Sequence, residues 1–163
     1  IGLPYETIED LYQTIELLAD SKPGRFRWTY FFPYPGTESH KIAMASGMVN
    51  TEKMKKLSNF TDDTCLDFGA EQNLLLEKIG TLMPWFVNAH SDLASAEFYK
   101  KKIESILQMN SNEWSKTKSK ARDEDKKLSE LMQAQNLSHY AIKYNRFMGV
   151  ISDYFLNETQ NPV

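Results

Sequence analysis

Cysteine is nearly absent from this chain. A single thiol, Cys65, stands among 163 residues, so no internal disulfide framework can form and no cysteine-rich zinc module can be built. Long apolar runs are missing too. A membrane-spanning helix needs ~20 such residues, and the longest candidate, 79–87, is interrupted by Gly80, Thr81 and Pro84. No secretory signal precedes the body of the chain, and together these features lead us to expect a cytoplasmic protein with no membrane span. Basic charge is not in excess, with 19 Lys and Arg against 22 Asp and Glu. The clustered basic face of a nucleic-acid binder is therefore not expected.

Several catalytic and metal patterns are also lacking. His40, His90 and His139 are far apart, without H-x-x-x-H or H-E-x-x-H spacing, which argues against zinc. No serine has a G-x-S-x-G context. Asp62, Asp63 and Asp67 lack the glycine and terminal glutamate of a calcium loop and read as a solvated acidic loop. Lys116, Lys118, Lys120 and Arg122 are followed at once by Asp123, Glu124 and Asp125, which is the pattern of a solvated helix face.

What is present divides near residue 48. Thr7 is placed to cap a helix, with Asp10 three residues on, and Ile8, Leu11, Ile15 and Leu18 form one apolar stripe. The run Ser21-Lys22-Pro23-Gly24 ends that helix. Residues 25–32 then alternate as a strand, with Phe26, Trp28, Tyr30 and Phe32 on one face and Arg25, Arg27, Thr29 and Phe31 on the other. Pro33-Tyr34-Pro35-Gly36 is a rigid turn, and a short helix over 37–46 stops at Gly47. The opening Ile1-Gly2-Leu3-Pro4 reads as a strand end entering a loop. The order strand, helix, strand, helix is the βαβα unit of a parallel sheet or barrel. One such unit cannot bury both of its faces, so the chain is expected to be part of a longer one, or to pair with a second copy through an exposed strand edge.

Beyond residue 50 the signals are helical. They predict helices over 51–57, over 70–87 with a kink at Pro84, from a cap at Ser91 onward, and over a long charge-rich span, 113–134. The stretch 139–156 is aromatic-rich, and Tyr140, Ile142 and Tyr144 alternate in a way that fits a strand or a helix. The expected fold is an α/β remnant over 1–48 followed by a helical region over 49–163, predominantly α overall.

The ordered pair Gly2-Leu3-Pro4-Tyr5-Glu6-Thr7 and Pro33-Tyr34-Pro35-Gly36-Thr37, separated by an amphipathic helix and an aromatic strand, resembles the radical S-adenosylmethionine (SAM) superfamily, in particular its cobalamin-binding type. In that family a GLPGET segment sits at a barrel-strand tip and a PYPGT segment follows the next strand; here Tyr5 replaces the usual glycine. Leu82-Met83-Pro84-Trp85-Phe86-Val87-Asn88 is similar to a tail motif of the group, and the stretch from His139 through Tyr144 to Gly149 resembles a less widely shared one. The resemblance implies that residues 1–48 are the last βα units of a partial barrel. It implies a parent enzyme with a four-iron four-sulfur cluster, SAM and cobalamin, acting on a small organic substrate such as a tetrapyrrole or a lipid. It implies further that Ile1, Gly2, Leu3, Phe32 and Pro33 lie near the SAM adenine. The cluster motif CxxxCxxC is not in this chain, which alone is therefore expected to have no catalytic residues and to do no radical chemistry; its partner would be the N-terminal part of the parent. The alternative is a self-contained helical interaction module in which 113–134 binds a partner.

Overall fold

A computed structural model describes residues 1–57, 63–143 and 147–152. Their helices are α1 (Ile8–Ser21), α2 (Glu38–Ala45), α3 (Thr51–Lys56), α4 (Ala70–His90), α5 (Ala96–Gln108), α6 (Ser111–Lys118) and α7 (Ala121–Ala134), and their strands are β1 (Arg25–Arg27), β2 (Tyr140–Ile142) and β3 (Met148–Ile151). The fold is predominantly helical, as expected. One apolar cluster joins Leu11 and Ile15 of α1, Phe26, Trp28 and Tyr30, the middle of α4, and Trp114, Leu128 and Met132 of α6 and α7.

Local chemistry explains the first helix. The Thr7 hydroxyl accepts from the Asp10 amide, and the Asp10 carboxylate accepts from the Thr7 amide at 2.8 Å. This is a complete capping box, made with Asp rather than Glu. Leu11, Ile15 and Ala19 are buried at helical spacing, while Ile8 of the expected stripe stays exposed. Lys22, in the left-handed region at φ 45°, closes the helix before Pro23.

The strand that follows departs from expectation. Its regular ladder covers only Arg25–Arg27, and its partner is not parallel. β1 pairs antiparallel with β3, and β3 antiparallel with β2, in the order β1-β3-β2. The sheet is thus completed by a hairpin more than a hundred residues away in sequence, which the βαβα pattern could not reveal. After Trp28 the chain changes partner. The Ile1 amine donates to the Thr29 carbonyl at 2.9 Å, and the Phe31 amide donates to the Ile1 carbonyl at 2.8 Å. These two bonds have the pattern of a parallel bridge between Ile1 and Tyr30, with α1 as the crossover between them. The edge expected to be free is therefore partly paired within the chain, to β3 along 25–28 and to Ile1 at 29–31.

Helix α4 is the centre of the molecule and packs on α1, α5, α6, β2 and β3. Its kink falls at Leu82 (φ −125°, ψ 28°), ahead of Pro84. Proline has no amide hydrogen, so the carbonyl four residues back, that of Gly80, loses its helical donor. The Trp28 indole N–H takes that carbonyl at 2.8 Å. Gly80 also lacks a side chain where Tyr30 needs room, since a Cβ there would overlap the Tyr30 ring and hydroxyl. The aromatic face of residues 26–30 is thus keyed into the one break in α4.

Two boundaries differ from expectation. Ser91 terminates α4, its hydroxyl donating to the Asn88 carbonyl at 2.7 Å, and α5 begins only after Ser95. The expected helix over 113–134 is two helices, because Ser119 and Lys120 form a turn in which the Lys120 amide bonds Thr117. No Gly or Pro marks that break. Helix α3 lies in an excursion closed by the bridge Val49–Leu66. The alternating pattern of 140–144 resolves to a strand over Tyr140–Ile142. Tyr144, together with the expected segment 153–156, lies outside the described residues.

Candidate functional site

The site built from the resemblance lies where Ile1 meets Phe31. Residues Leu3-Pro4-Tyr5-Glu6 make a tight turn, with the Glu6 amide donating to the Leu3 carbonyl at 3.0 Å. Proline in second place and a left-handed third residue define a type II turn, whose third position favours glycine. Tyr5 occupies it at φ 66°. The backbone thus takes a glycine-like conformation with a tyrosine in place. The Glu6 carboxylate accepts from the Gly2 amide, and Gln72 of α4 donates to the Glu6 carbonyl at 2.7 Å. The turn is therefore fixed from within and from α4.

Ile1 is hydrogen-bonded to Thr29 and Phe31, on the segment that leads to Phe32 and Pro33, and the five expected site residues are not equally open. Leu3 is 47% exposed, Ile1 and Phe32 are half-buried, and Gly2 and Pro33 are buried. The close approach that glycine permits at Gly2 is made by this chain itself. A Cβ there would lie 3.1 Å from the Leu76 Cδ2 and 3.5 Å from the Thr64 hydroxyl. Phe32 stacks at a tilt on Tyr34 with ring centroids 4.9 Å apart.

Two hollows lie nearby, one beside Tyr30 and one beside the Tyr5 turn. One, of about 300 Å³, is lined by Tyr30, Lys53, Asp63, Thr64, Asn73 and Glu77. Its polar groups are engaged with protein partners: Lys53 pairs with Asp63 at 2.7 Å, Glu77 with Lys118 at 2.6 Å, and Asn73 accepts from the Phe68 amide. The other is an open trough of about 540 Å³ bounded by Tyr5, Glu6, Ile8, Met48, Phe68 and Gln72. Both can bind and position a small molecule.

The strongest polar cluster is elsewhere and has no signal in the sequence. The outer edge of β2 is closed by side chains instead of a strand. Asn88 of α4 accepts from the Tyr140 amide at 2.7 Å and donates to the Tyr140 carbonyl at 2.8 Å. Asp125 of α7 accepts from the Ile142 amide and from the Trp85 indole, both at 2.8 Å. Asp125 is only 2% exposed, and burial pushes its carboxyl up to about 6 despite these two donors. His139, also buried, donates from Nδ1 to the Leu137 carbonyl and shares a hydrogen bond at Nε2 with the Ser129 hydroxyl at 2.8 Å. Tyr99 stacks on His139, and its buried hydroxyl has no hydrogen-bond partner among the described residues. The role of this cluster is structural: it satisfies a buried edge that would otherwise carry bare amides.

An iron–sulfur cluster does not fit the donors this chain supplies. Three thiolates are required, and the chain has one thiol, Cys65, which is buried and held above the usual thiol range by that burial. Among the described residues no three His, Cys, Asp or Glu side chains are grouped to hold a metal ion, and no helix is long and apolar enough to cross a membrane. Asp62 lies outside the described residues; Asp67 accepts from Gly69 and Asn73, which is a loop-closing role. No protein-family model, curated protein or solved structure matches the chain.

Proposed function

We propose that this chain is the C-terminal part of a radical SAM iron–sulfur oxidoreductase or methyltransferase of the cobalamin-binding type, acting on a small organic substrate. The observation that carries the reading is the parallel bridge between Ile1 and Tyr30 across the α1 crossover. A strand, a helix and a parallel return are the repeating unit of such barrels, and the left-handed Tyr5 adds support because the family places glycine there. In this reading Leu3 and Phe32 offer apolar surface to the adenine, while Gly2 and Pro33 hold the two loops in place. The cluster, SAM's reductive cleavage and cobalamin belong to residues outside this chain.

The first test is the reading frame upstream of Ile1. A CxxxCxxC motif ~150 residues upstream, the distance expected for most of a βα barrel, supports the assignment. The full-length protein, reconstituted with iron and sulfide, should then release 5′-deoxyadenosine from SAM under reduction. A frame that opens just before Ile1 overturns it.

The second reading, a self-contained interaction module, is favoured by one observation: β3 of the same chain covers the edge of β1. Its weakness is that the proposed partner helix is already used. Ala121, Asp125, Leu128 and Met132 of α7 are all buried in this chain. Solution mass at several concentrations tests it, since a module of this kind should show a defined interface.

A further inference from the structure

A cavity of about 200 Å³ lies away from the strand tips, between the kinked middle of α4, the start of α7 and the aromatic strands. It is lined by Tyr30, Thr81, Lys118, Arg122, Ile142 and Phe147, with the Gly80 backbone at its floor. Part of its wall is aromatic. Tyr30 and Phe147 meet edge to face with centroids 6.5 Å apart, and Tyr30, Ile142 and Phe147 are all buried. Its charge is unbalanced in one direction. Lys118 is neutralised by Glu77 at 2.6 Å, whereas Arg122 has no ion pair among the described residues. Thr81 directs its hydroxyl to the Glu77 carbonyl, which leaves Arg122 as the one strong donor at the mouth among the described residues.

We propose that this cavity binds a compact aromatic molecule bearing one carboxylate or phosphate group, with its ring against the Tyr30–Phe147 pair and the anionic group on the Arg122 guanidinium. Aromatic walls select a flat apolar body, a guanidinium fork selects a carboxylate or phosphate, and the volume, at the small end of ligand cavities, excludes anything much larger than a single substituted ring. The neutralised Lys118–Glu77 pair at the rim argues for one anionic group and against a polyanion. The proposal does not depend on the radical SAM reading, because every residue it uses is in this chain.

The test uses the intact chain and three small probes: benzoate, phenyl phosphate and the neutral benzyl alcohol. Their binding is followed by amide chemical shifts of Thr81, Ala121 and Arg122. Benzoate or phenyl phosphate should shift these amides saturably, and the difference between the two identifies the preferred anion. Benzyl alcohol should bind at least about tenfold more weakly, the loss expected for one charge-assisted hydrogen bond. Arg122→Gln, an exposed position whose change leaves the core intact, should weaken the anion by a similar factor with an unchanged circular dichroism spectrum. Phe147→Leu should weaken the anion and the alcohol alike. Equal binding of anion and alcohol, unchanged affinity in Arg122→Gln, or shifts confined to other amides would overturn the proposal.

Discussion

Tyr5 holds a left-handed conformation that costs an L-residue about 1–2 kcal/mol, and it does so with its side chain 67% exposed. No buried contact of the ring offsets that strain, so the cost is set by the turn, whose second residue is Pro4 and whose exit is fixed by the capping box of α1. Replacement by glycine should therefore stabilise the protein, by about 1 kcal/mol after allowing for glycine's extra freedom in the unfolded chain. Tyr5→Ala, which keeps the Cβ, should give little or none of that gain. Urea unfolding of the three proteins checks this, and a glycine variant no more stable than the parent would show that the tyrosine ring contributes something the turn geometry does not reveal. A second residue-scale prediction concerns Tyr99. Its buried hydroxyl has no hydrogen-bond partner among the described residues, so Tyr99→Phe should be neutral or stabilising by up to about 1 kcal/mol, where loss of a made hydrogen bond would cost a similar amount.

The joint between the aromatic strand and α4 is where two elements are most tightly keyed. Trp28 takes the carbonyl that Pro84 leaves free, and Tyr30 occupies the space of the side chain that Gly80 lacks. Gly80→Ala should cost about 1–3 kcal/mol, the range for overpacking a filled core. If the cost arises at this joint, it should largely vanish in a Tyr30→Ala background, which a double-mutant cycle measures. An additive cycle would place the damage in α4 itself. The same joint shows what is legible in the sequence. Thr7, Asp10, the stripe Leu11 and Ile15, the alternation Phe26-Trp28-Tyr30 and the kink near Pro84 are local patterns, and the structure keeps them. The antiparallel partner of β1 is not legible, because Arg25 meets Val150 and nothing near either residue records the other. The break between α6 and α7 has no marker because Ser119 and Lys120 are tolerable inside a helix. At the strand tips only tertiary packing shows that Ile1 bonds Thr29 and Phe31 and that Leu76 and Thr64 fill the space beside Gly2. The closure of β2 by Asn88 and Asp125 is illegible for the same reason: in sequence, Asp125 is one acid in a charged run.

Across the whole molecule Asp125 sets the direction in which stability responds to acid. Its carboxyl sits at about 6 in the folded state against an ordinary 3.8. The folded protein therefore retains a proton that the unfolded chain has released, and stability rises as pH falls from 6 toward 4. Over that window the gain is about 2–3 kcal/mol at most, since a tenfold change in proton affinity corresponds to about 1.4 kcal/mol. Carboxyls with the opposite displacement limit it. Asp10 in the α1 cap, Asp67, Asp92 and Glu97 are all held below their ordinary range by hydrogen bonds to their charged forms. Their contributions are present above the ordinary carboxylate range and are lost as pH falls through it. The urea midpoint should therefore rise as pH falls below 6, before the losses at the ordinary carboxylate range reverse it. Asp125→Asn removes the titrating group and keeps an acceptor for Trp85, but places an amide where the Ile142 N–H needs an oxygen. That variant should lose the rise between pH 6 and 5 and should be destabilised most at pH 5, where the parent holds a neutral acid. A parent whose midpoint falls steadily from pH 7 to 4 would mean that Asp125 stays ionised in the core, and that the Trp85 and Ile142 donors outweigh its burial.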